Sequence, residues 1–319
     1  MIRFLIRRIL LGLLVMWLIT LGVFALFFVV PNDVARTLAG RQATPQTIAL
    51  INHRLGLDQP LPQQYWNFLS HAVRGDLGYD YYHGVPVSEI IAQALPITLS
   101  LAVGASILWL LLGVYSGVVS ATHPRSVADR TLTIFALFFY SMPSFYLALL
   151  LLYLLYFRLT LTGHAWFPSG QYVPMSTSVL EWARHLVLPW ITLALLLAAT
   201  YTRLTRSSML DVLSEDYIRT ARSKGISEGR VTYRHALRAA LSPVVTQFGI
   251  DLGQLVGGVV VIETVFGLPG LGYTAIRAIN QQDLPVIIGI VLFASAAVVV
   301  ANILVDIGYA ILDPRVSVH

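Results

Sequence analysis

The residues whose types could do chemistry are concentrated in one run, SEDYIRTARSKGISEGRVTYRHALRAALSP, at residues 214–243. It is the most charged stretch of a chain in which only 12% of the residues are charged. The one lysine of the sequence, Lys224, is followed by Gly225, so a phosphate-binding loop of the form G-x-x-x-x-G-K-[ST] does not occur. The chain is therefore not expected to hydrolyse ATP itself.

Other catalytic chemistries have little support in the sequence. There is no cysteine, which excludes disulfides, thiolate nucleophiles and thiolate metal sites. The eight histidines form no H-x-H or H-x-x-x-H pair that would hold a metal on one face. Acids, histidines and nucleophiles do not converge on one membrane face, so a membrane enzyme is disfavoured. We predict no catalytic residue, no metal and no cofactor in this chain.

The charged run has the pattern of two short helices joined by a glycine turn. Ser214 followed by Glu215 and Asp216 predicts a helix start, because a hydroxyl caps free N–H groups and acids complement the helix dipole. Gly225 predicts the end of this helix. A second helix is predicted to begin at Ser227 and to run toward the next apolar segment.

A hairpin of this kind is predicted to expose apolar residues among arginines, namely Ile218, Ala221, Ile226 and Val231. A cytoplasmic partner that covers them is one explanation, because contiguous exposed apolar surface usually marks an interaction site. The alternative is a basic interfacial helix lying on anionic lipid. The residues alone leave both open.

The composition as a whole indicates a membrane protein. Hydrophobic residues make up 56% of the chain, and the charged fraction is about half that of a soluble domain. Several apolar runs of about 20 residues are long enough to cross a hydrocarbon core roughly 30 Å thick. The net charge of +5 could suggest nucleic acid, but the basic residues lie between apolar segments rather than on one soluble domain. We predict an all-α integral membrane protein with no nucleic-acid partner.

Six apolar segments predict six transmembrane helices, near residues 9–30, 96–121, 131–157, 186–205, 244–266 and 284–310. The first follows Arg3, Arg7 and Arg8 as in a secretory signal, but its length and the lack of a cleavage pattern predict an uncleaved span. Pro96 and Pro189 are predicted in the first turns of the second and fourth helices.

Orientation and domains follow from these segments. With the N-terminus inside, the inner segments hold twice as many lysines and arginines as the outer ones, so both termini are predicted to be cytoplasmic. The outer segment 31–95 is aromatic, low in charge and amphipathic around residues 65–73, which predicts a small folded external subdomain that closes over the outer mouth or docks another protein there. The predicted organisation is therefore 1–30, 31–95 and a transmembrane domain at 96–319.

Four stretches of the chain resemble one family of transport proteins. YIRTARSKG followed by RHALRAALSPVV is similar to the cytoplasmic signature loop of ATP-binding-cassette importer permeases, in the oligopeptide, dipeptide and nickel branch. RRILLGLLVMWLITLGVFALFFVVPND resembles the first span of that family, LGLDQPLPQQYWNFL its external segment, and ETVFGLPGLGYTAIRAINQQDLPVI the loop before its last span. The long external segment resembles that of the first, dipeptide-permease-B-like member of a permease pair.

The resemblance implies that the loop 206–243 carries a coupling helix that sits in a cleft of a cytoplasmic ATPase subunit. The wider family writes this loop E-A-A-x-x-x-G, and its Glu and second position fall on Arg219 and Thr220, which depart from the pattern. No role for an acidic residue is therefore carried over, whereas Ala221 and Gly225 match. The implied contact comprises Gly225, Ile226, Ser227, Glu228 and Arg230. For the arginines, a solvated or lipid-facing surface is the alternative.

The fifth apolar segment contains small residues at helical spacing. Gly249, Gly253 and Gly257 are four residues apart, which places them on one helical face that another helix can approach closely. We predict that this face packs against a second permease subunit or borders the pathway.

Polar residues in the same segment are candidates for the pathway. Asp251 is an ionisable residue at membrane depth, which is a functional-site hypothesis by default. Thr246, Gln247 and Gln254 are further candidates for a polar lining. Asp306 lies near the end of the sixth segment, so the alternative to a pathway role is that its side chain simply reaches the membrane interface.

Two further stretches interrupt the apolar pattern. FGLPGLG, with Gly267, Pro269, Gly270 and Gly272, is too broken to continue a span. The resemblance implies an external re-entrant element near the gate, and a plain turn is the alternative. SMPSF predicts a kink in the third helix, where Ser141 is able to bond a freed carbonyl and to line a pathway, or is simply buried in lipid.

The resemblance implies an importer subunit in a bacterial or archaeal plasma (inner) membrane. Its implied partners are a second homologous permease, two cytoplasmic ATPase subunits that hold ATP and Mg, an extracytoplasmic substrate-binding protein and membrane lipid. The implied cargo is a di- or oligopeptide, with nickel chelates or glutathione as alternatives. A secondary transporter driven by an ion gradient is disfavoured, because such proteins use paired intramembrane charges or internal repeats.

Overall fold

The computed structural model describes residues 2–29, 44–46, 49, 53, 58–80, 82–256 and 259–312. Much of the predicted external subdomain, and Gly257, lie outside these residues. The described part is all-helical apart from turns and an isolated β-bridge between Tyr79 and Pro86. Its helices are α1 (Ile2–Phe24), α2 (Leu61–Val73), α3 (Val87–Thr122), α4 (Val127–Tyr140), α5 (Ser144–Leu161), α6 (Val179–Leu213), α7 (Asp216–Ser223), α8 (Glu228–Arg230), α9 (Leu237–Val256), α10 (Val260–Phe266), α11 (Leu271–Gln281) and α12 (Leu284–Leu312).

Among the described residues, five helical stretches are long and apolar enough to cross a membrane: Ile6–Phe28, α3, α5, α6 and Leu284–Leu304. The chain is thus an all-α membrane protein, as the composition predicts. The predicted third and fifth segments are each divided. The third is not merely kinked, because α4 ends at Tyr140 and α5 begins after Pro143. The fifth is shared between α9 and α10.

The prediction for the two prolines was wrong. Pro96 lies inside α3, which begins at Val87, and Pro189 lies inside α6. The start of α6 is set by Ser178, whose hydroxyl oxygen accepts a hydrogen bond from the Glu181 N–H at 3.3 Å. A serine three residues before a glutamate is a stronger start signal than a proline, because it satisfies an N–H group that the helix itself cannot.

The chain forms two compact units, one of residues Met1–Pro96 with Gly270–His319 and the other of Ile97–Pro269. In the first unit, α2 packs along α1 through aromatic rings. Phe24 stacks on Phe28 with centroids 5.0 Å apart, and both rings lie within about 6 Å of Phe68 in α2. The hydroxyls of Thr20 and Tyr65 hydrogen bond at 3.0 Å. The amphipathic stretch around residues 65–73 lies in this helix.

A carboxylate fixes the turn that precedes α3 in the first unit. Asp80 accepts hydrogen bonds from the backbone N–H groups of Tyr82 and His83 at 2.6 and 3.2 Å, and its Oδ2 lies 2.6 Å from His83 Nδ1. Burial acts to raise the pKa of Asp80, but hydrogen bonds with the Asp283 and His83 side chains and from the backbone N–H groups of Tyr82 and His83 outweigh it and hold the pKa at about 2. The turn is thereby tied to the start of α12 by an ionised acid.

In the second unit, α3 and α6 approach closely where α3 carries glycine. A Cβ atom at Gly113 would lie 2.4 Å from Tyr201 Cβ, and one at Gly117 would lie 2.5 Å from Thr205 Cβ. Both distances are shorter than real Cβ contacts, so only glycine fits there. Tyr201 and Thr205 are fully buried by this contact.

A third close contact between the same two helices involves a tryptophan. A Cβ at Gly104 would fall 2.1 Å from the Trp190 ring. The Trp190 indole N–H donates a hydrogen bond to the Ser100 carbonyl at 3.0 Å, which fixes the ring over the glycine.

Replacing Gly117 by alanine is therefore expected to destabilise the protein, because the added methyl group cannot be accommodated without moving α6. Overpacking of this kind costs about 1–3 kcal/mol. Thermal unfolding of the purified chain in mild detergent measures the loss. The control is Gly22→Ala, since nothing lies within 4 Å of a Cβ at Gly22 in α1, and alanine favours a helix over glycine. Equal melting temperatures for Gly117→Ala and wild type would mean that α3 and α6 are farther apart.

Candidate functional site

The charged run folds as the predicted helix, glycine turn and helix. Gly225 has φ +74°, a left-handed conformation that ends α7 after Ser223 and that glycine adopts without strain. Ser227 then precedes α8 in an extended conformation. We call residues 216–230 the hairpin. Its second arm does not stop at α8, because a π-helical turn, Val231–Ala236, joins it to α9.

The predicted role of Ser214 was wrong. Its hydroxyl donates a hydrogen bond to the Asp211 carbonyl at 2.7 Å and so closes the end of α6. The residue before α7 is Glu215, whose side chain makes no capping hydrogen bond. Asp216 does lie in the first turn of α7, where its charge complements the helix dipole.

The prediction that the apolar side of the hairpin is exposed was also wrong. Ile218 and Val231 are fully buried, and Ala221 is 8% exposed. They pack with Val118 of α3 and Met209 of α6 in one cluster, against which Ile226 is partly buried. The chain thus covers the apolar side of its own hairpin and fixes it to α3 and α6.

The opposite side of the hairpin is exposed, polar and mainly basic. Arg222 reaches across the turn to Glu228, with Nε to Oε1 at 2.9 Å and Nη2 to Oε2 at 3.3 Å. Arg219 pairs with Asp216 at 3.4 Å on the surface. The other exposed members of this outer face are Tyr217, Thr220, Ser223, Lys224, Gly225, Ser227, Gly229 and Arg230. The result is a hairpin with a polar outer face.

A second constellation surrounds Asp251 in α9. The Tyr201 hydroxyl of α6 donates a hydrogen bond to Oδ2 of Asp251 at 2.7 Å, and Gln247 Nε2 donates to Oδ1 at 2.9 Å. The ring of Trp109 packs against Tyr201 and Phe248, with centroids 6.1 and 6.2 Å away. Within the described ranges, no lysine, arginine or histidine forms an ion pair with Asp251. The carboxylate is held in place, but its charge is not neutralised there.

Sequence analysis did not predict Tyr201 and Trp109 as members of this constellation. A signal was present for Tyr201, because it is a polar aromatic residue in the apolar stretch LLAATYTRL. Nothing in the sequence indicated which acid it would meet, since the two residues are 50 positions apart.

The other pathway candidates occupy less distinctive positions. Ser141 and Thr246 donate hydrogen bonds to carbonyls of their own helices, Leu137 at 2.8 Å and Ser242 at 3.0 Å. Gly249 and Gly253 are buried in α9. Gln254 also lies in α9, and Asp306 lies in α12.

The FGLPGLG stretch interrupts the helices as predicted. Gly267, with φ +62°, ends α10, and Gly270 immediately precedes α11. Pro269 is exposed and Gly272 is buried in α11. The sequence missed Glu263 in α10, which is fully buried and accepts a hydrogen bond from Thr98 at 2.7 Å.

Comparison with known proteins identifies what the chain is similar to. Family models described as "binding-protein-dependent transport system inner membrane component" and as its N-terminal part match residues 110–318 and 1–102. A probable peptide ABC transporter permease of Sinorhizobium fredii is 38% identical over 98% of both chains. A putative peptide transport system permease of Brucella abortus is 43% identical over 99% of both. A glutathione transport system permease of Escherichia coli is 37% identical, again over 99% of both.

Truncating Ile218 to alanine is expected to release the hairpin, because the loss of a buried side chain of this size costs about 2–5 kcal/mol. The hairpin contains Arg219, Arg222 and Lys224, so its opening is measured by the rate of tryptic cleavage, expected to rise about tenfold or more. The control is Tyr217→Ala on the outer face, where the tyrosine is 47% exposed. Equal cleavage rates for both variants would contradict the anchoring role of Ile218.

Proposed function

The chain belongs to the family of binding-protein-dependent transport system inner membrane components, and from this premise we propose that it is one permease subunit of an ATP-binding-cassette importer that takes up peptides. It forms half of the translocation pathway and does no covalent chemistry. The observation that carries the proposal is the hairpin, with its apolar side fixed to α3 and α6 and its polar side exposed.

The outer face of the hairpin is the proposed docking surface for a cytoplasmic ATPase subunit. An element that transmits movement must be stiff and must be attached to what it moves. The buried cluster around Ile218 supplies both the stiffness and the attachment to α3 and α6, and the exposed Arg222–Glu228 pair spans the turn. Movement of the ATPase is thereby passed to two helices of 36 and 35 residues.

The energy for this movement has to come from partner subunits. Turning a two-state gate from about 1:99 to 99:1 takes roughly 5.5 kcal/mol of differential binding. Exposed ion pairs such as Arg219–Asp216 contribute only about 0–1 kcal/mol each. Two ATPase subunits that bind ATP and Mg are the proposed source, and a second homologous permease and an external binding protein complete the assembly.

The proposed topology has six spans with both termini in the cytoplasm of a bacterial or archaeal cell. Five spans correspond to the long apolar helices. The remaining one is the segment 244–266, formed by α9 and α10 together. Residues 1–30 then supply the first span, 31–95 the external subdomain and 96–319 the remaining helices. The stretch with Gly267, Pro269, Gly270 and Gly272 is placed at the external gate.

Peptide is the proposed cargo because two of the relatives named above are named as peptide permeases, and each of them matches this chain over nearly its full length. Glutathione, named for the Escherichia coli relative, is itself a small peptide and is the first alternative. Nickel chelates are the second.

Asp251 is the proposed polar centre of the pathway. Tyr201 and Gln247 orient its carboxylate and leave its charge available to cargo. The buried glycines Gly249 and Gly253 lie in the same helix, where they permit close approach of a neighbouring helix of this chain.

The docking proposal is tested by placing a large side chain on the outer face. Gly229 is exposed in α8, and nothing lies within 4 Å of a Cβ built there. Gly229→Trp is therefore expected to keep the fold but to obstruct docking, so that the ATP hydrolysis that co-purifies with the tagged chain in mild detergent falls about tenfold or more, a loss of about 1.4 kcal/mol in binding.

Gly229→Ala is the matched control and is expected to retain the ATPase. Thermal unfolding checks that both variants are folded. Undiminished hydrolysis with Gly229→Trp would mean that the ATPase docks on a different surface. A folded wild-type chain without any co-purifying ATPase would overturn the importer proposal and favour a gradient-driven transporter.

The pathway role of Asp251 is tested by Asp251→Asn, which keeps the shape of the side chain but removes its charge. Uptake of a labelled dipeptide by cells that lack other peptide permeases is expected to fall about tenfold or more, as for a lost charge-assisted hydrogen bond, while the ATPase still co-purifies. Glu89→Gln, at an exposed acid in the first turn of α3, is the control and is expected to transport normally. Normal uptake by Asp251→Asn would contradict the proposed role of Asp251 in the pathway.

A further inference from the structure

A cavity of about 650 Å³ opens beside the ends of α4 and α6 and is not used by the function proposed above. Both helices belong to the second unit. The cavity is lined by four arginines, by the two aspartates Asp129 and Asp211, and by hydroxyl and apolar side chains. The arginines are Arg125, Arg130, Arg203 and Arg206.

One arginine of the cavity is already neutralised. Arg206 Nε and Nη2 donate to the two carboxylate oxygens of Asp129 at 2.9 and 3.0 Å. Asp129 also accepts a hydrogen bond from the backbone N–H of Arg125 at 2.9 Å. The bond from Arg206 is the main cause of the lowered pKa of Asp129, against the opposing effect of burial. This pair is therefore a fixed, neutral wall of the cavity.

The remaining three arginines keep their charge. Arg203 lies over the ring of Tyr140, 5.0 Å from its centroid, which positions the guanidinium without neutralising it. In the part of the chain that the structure describes, no carboxylate forms an ion pair with Arg125, Arg130 or Arg203. Asp211 offsets one of the three positive charges on the lining. The cavity therefore carries a net positive charge.

The surface that flanks the cavity is apolar. Ile134, which lines it, is 66% exposed, and Phe135 and Phe138 on the same helix are each 55% exposed. A ligand that fits both features carries a compact anion on a hydrocarbon body. Arginine forks match phosphate oxygens geometrically, and basic pockets beside membrane helices are suited to anionic lipid headgroups.

We propose that this cavity binds the phosphate headgroup of an anionic phospholipid, with the acyl chains lying along the exposed face of α4. On the topology proposed above, the cavity is at the cytoplasmic end of the helices, next to the end of α6 that leads into the hairpin. A bound headgroup there cross-links α4 and α6 by charge.

The proposal is tested on the assembled transporter purified with the full chain. Native mass spectrometry from nanodiscs of mixed phosphatidylglycerol and phosphatidylcholine counts the lipids that remain bound. We expect phosphatidylglycerol to be retained in preference to phosphatidylcholine. Each arginine contributes about 1 kcal/mol, or about fivefold. Arg130→Gln with Arg203→Gln is therefore expected to reduce the preference by about 30-fold.

Matched variants separate the site from general charge. Arg277→Gln removes an exposed arginine in α11 and is expected to keep the preference. Arg130→Lys retains a positive charge at the cavity and is expected to keep most of the preference for phosphatidylglycerol. This variant shows whether a loss in the glutamine variant comes from the missing charge or from misfolding. An equal preference in wild type and in Arg130→Gln with Arg203→Gln would overturn the proposal.

Two further arms distinguish other occupants. Inorganic phosphate is added to nanodiscs of phosphatidylglycerol, and displacement of the lipid at millimolar phosphate would assign the cavity to a free anion instead. Retention by the isolated chain that is absent in the assembled transporter would mean that a protein partner covers the cavity. ATP hydrolysis is recorded separately, so failure of the lipid site is distinguishable from failure of the importer proposal.

Discussion

The close approach of α3 to α6 is the constraint on which the rest of the second unit depends. It requires glycine at three levels of α3, because Trp190, Tyr201 and Thr205 occupy the space that a Cβ would take. Val118, the residue after Gly117, and Met209, one turn beyond Thr205, both belong to the cluster that holds the hairpin. The hairpin is thus mounted on a helix pair that glycine allows to pack closely.

The polar constellation depends on the same contact. Tyr201, which is fixed against Gly113, also holds Asp251 through its hydroxyl. Asp251 lies in α9, which is continuous with the second arm of the hairpin through the π-helical turn. A displacement of the hairpin therefore has two direct routes to the carboxylate, one along α9 and one through α6. Both connections consist of packed or bonded residues.

Features that depend on local sequence were predictable, and those that depend on distant contacts were not. The apolar runs, the stop at Gly225 and the break at FGLPGLG were predicted, because each rests on neighbouring residues. The burial of Ile218 was missed, because α3 and α6 provide its cover. The bond between Thr98 and Glu263 joins residues 165 positions apart, and no local pattern reports it. Pro189 led to a wrong helix start, because the true start signal at Ser178 lies outside the apolar run.

The π-helical turn at Val231–Ala236 sets the angular phase of α9 relative to the hairpin. A π turn holds one more residue than an α turn, and a single residue corresponds to about 100° of rotation around a helix axis. Were the same segment wound as a regular α-helix, every side chain beyond it would point about a quarter of a circle away. Asp251 would then no longer meet Tyr201. The winding of six residues thus determines the direction in which a carboxylate some 15 residues further along the chain faces.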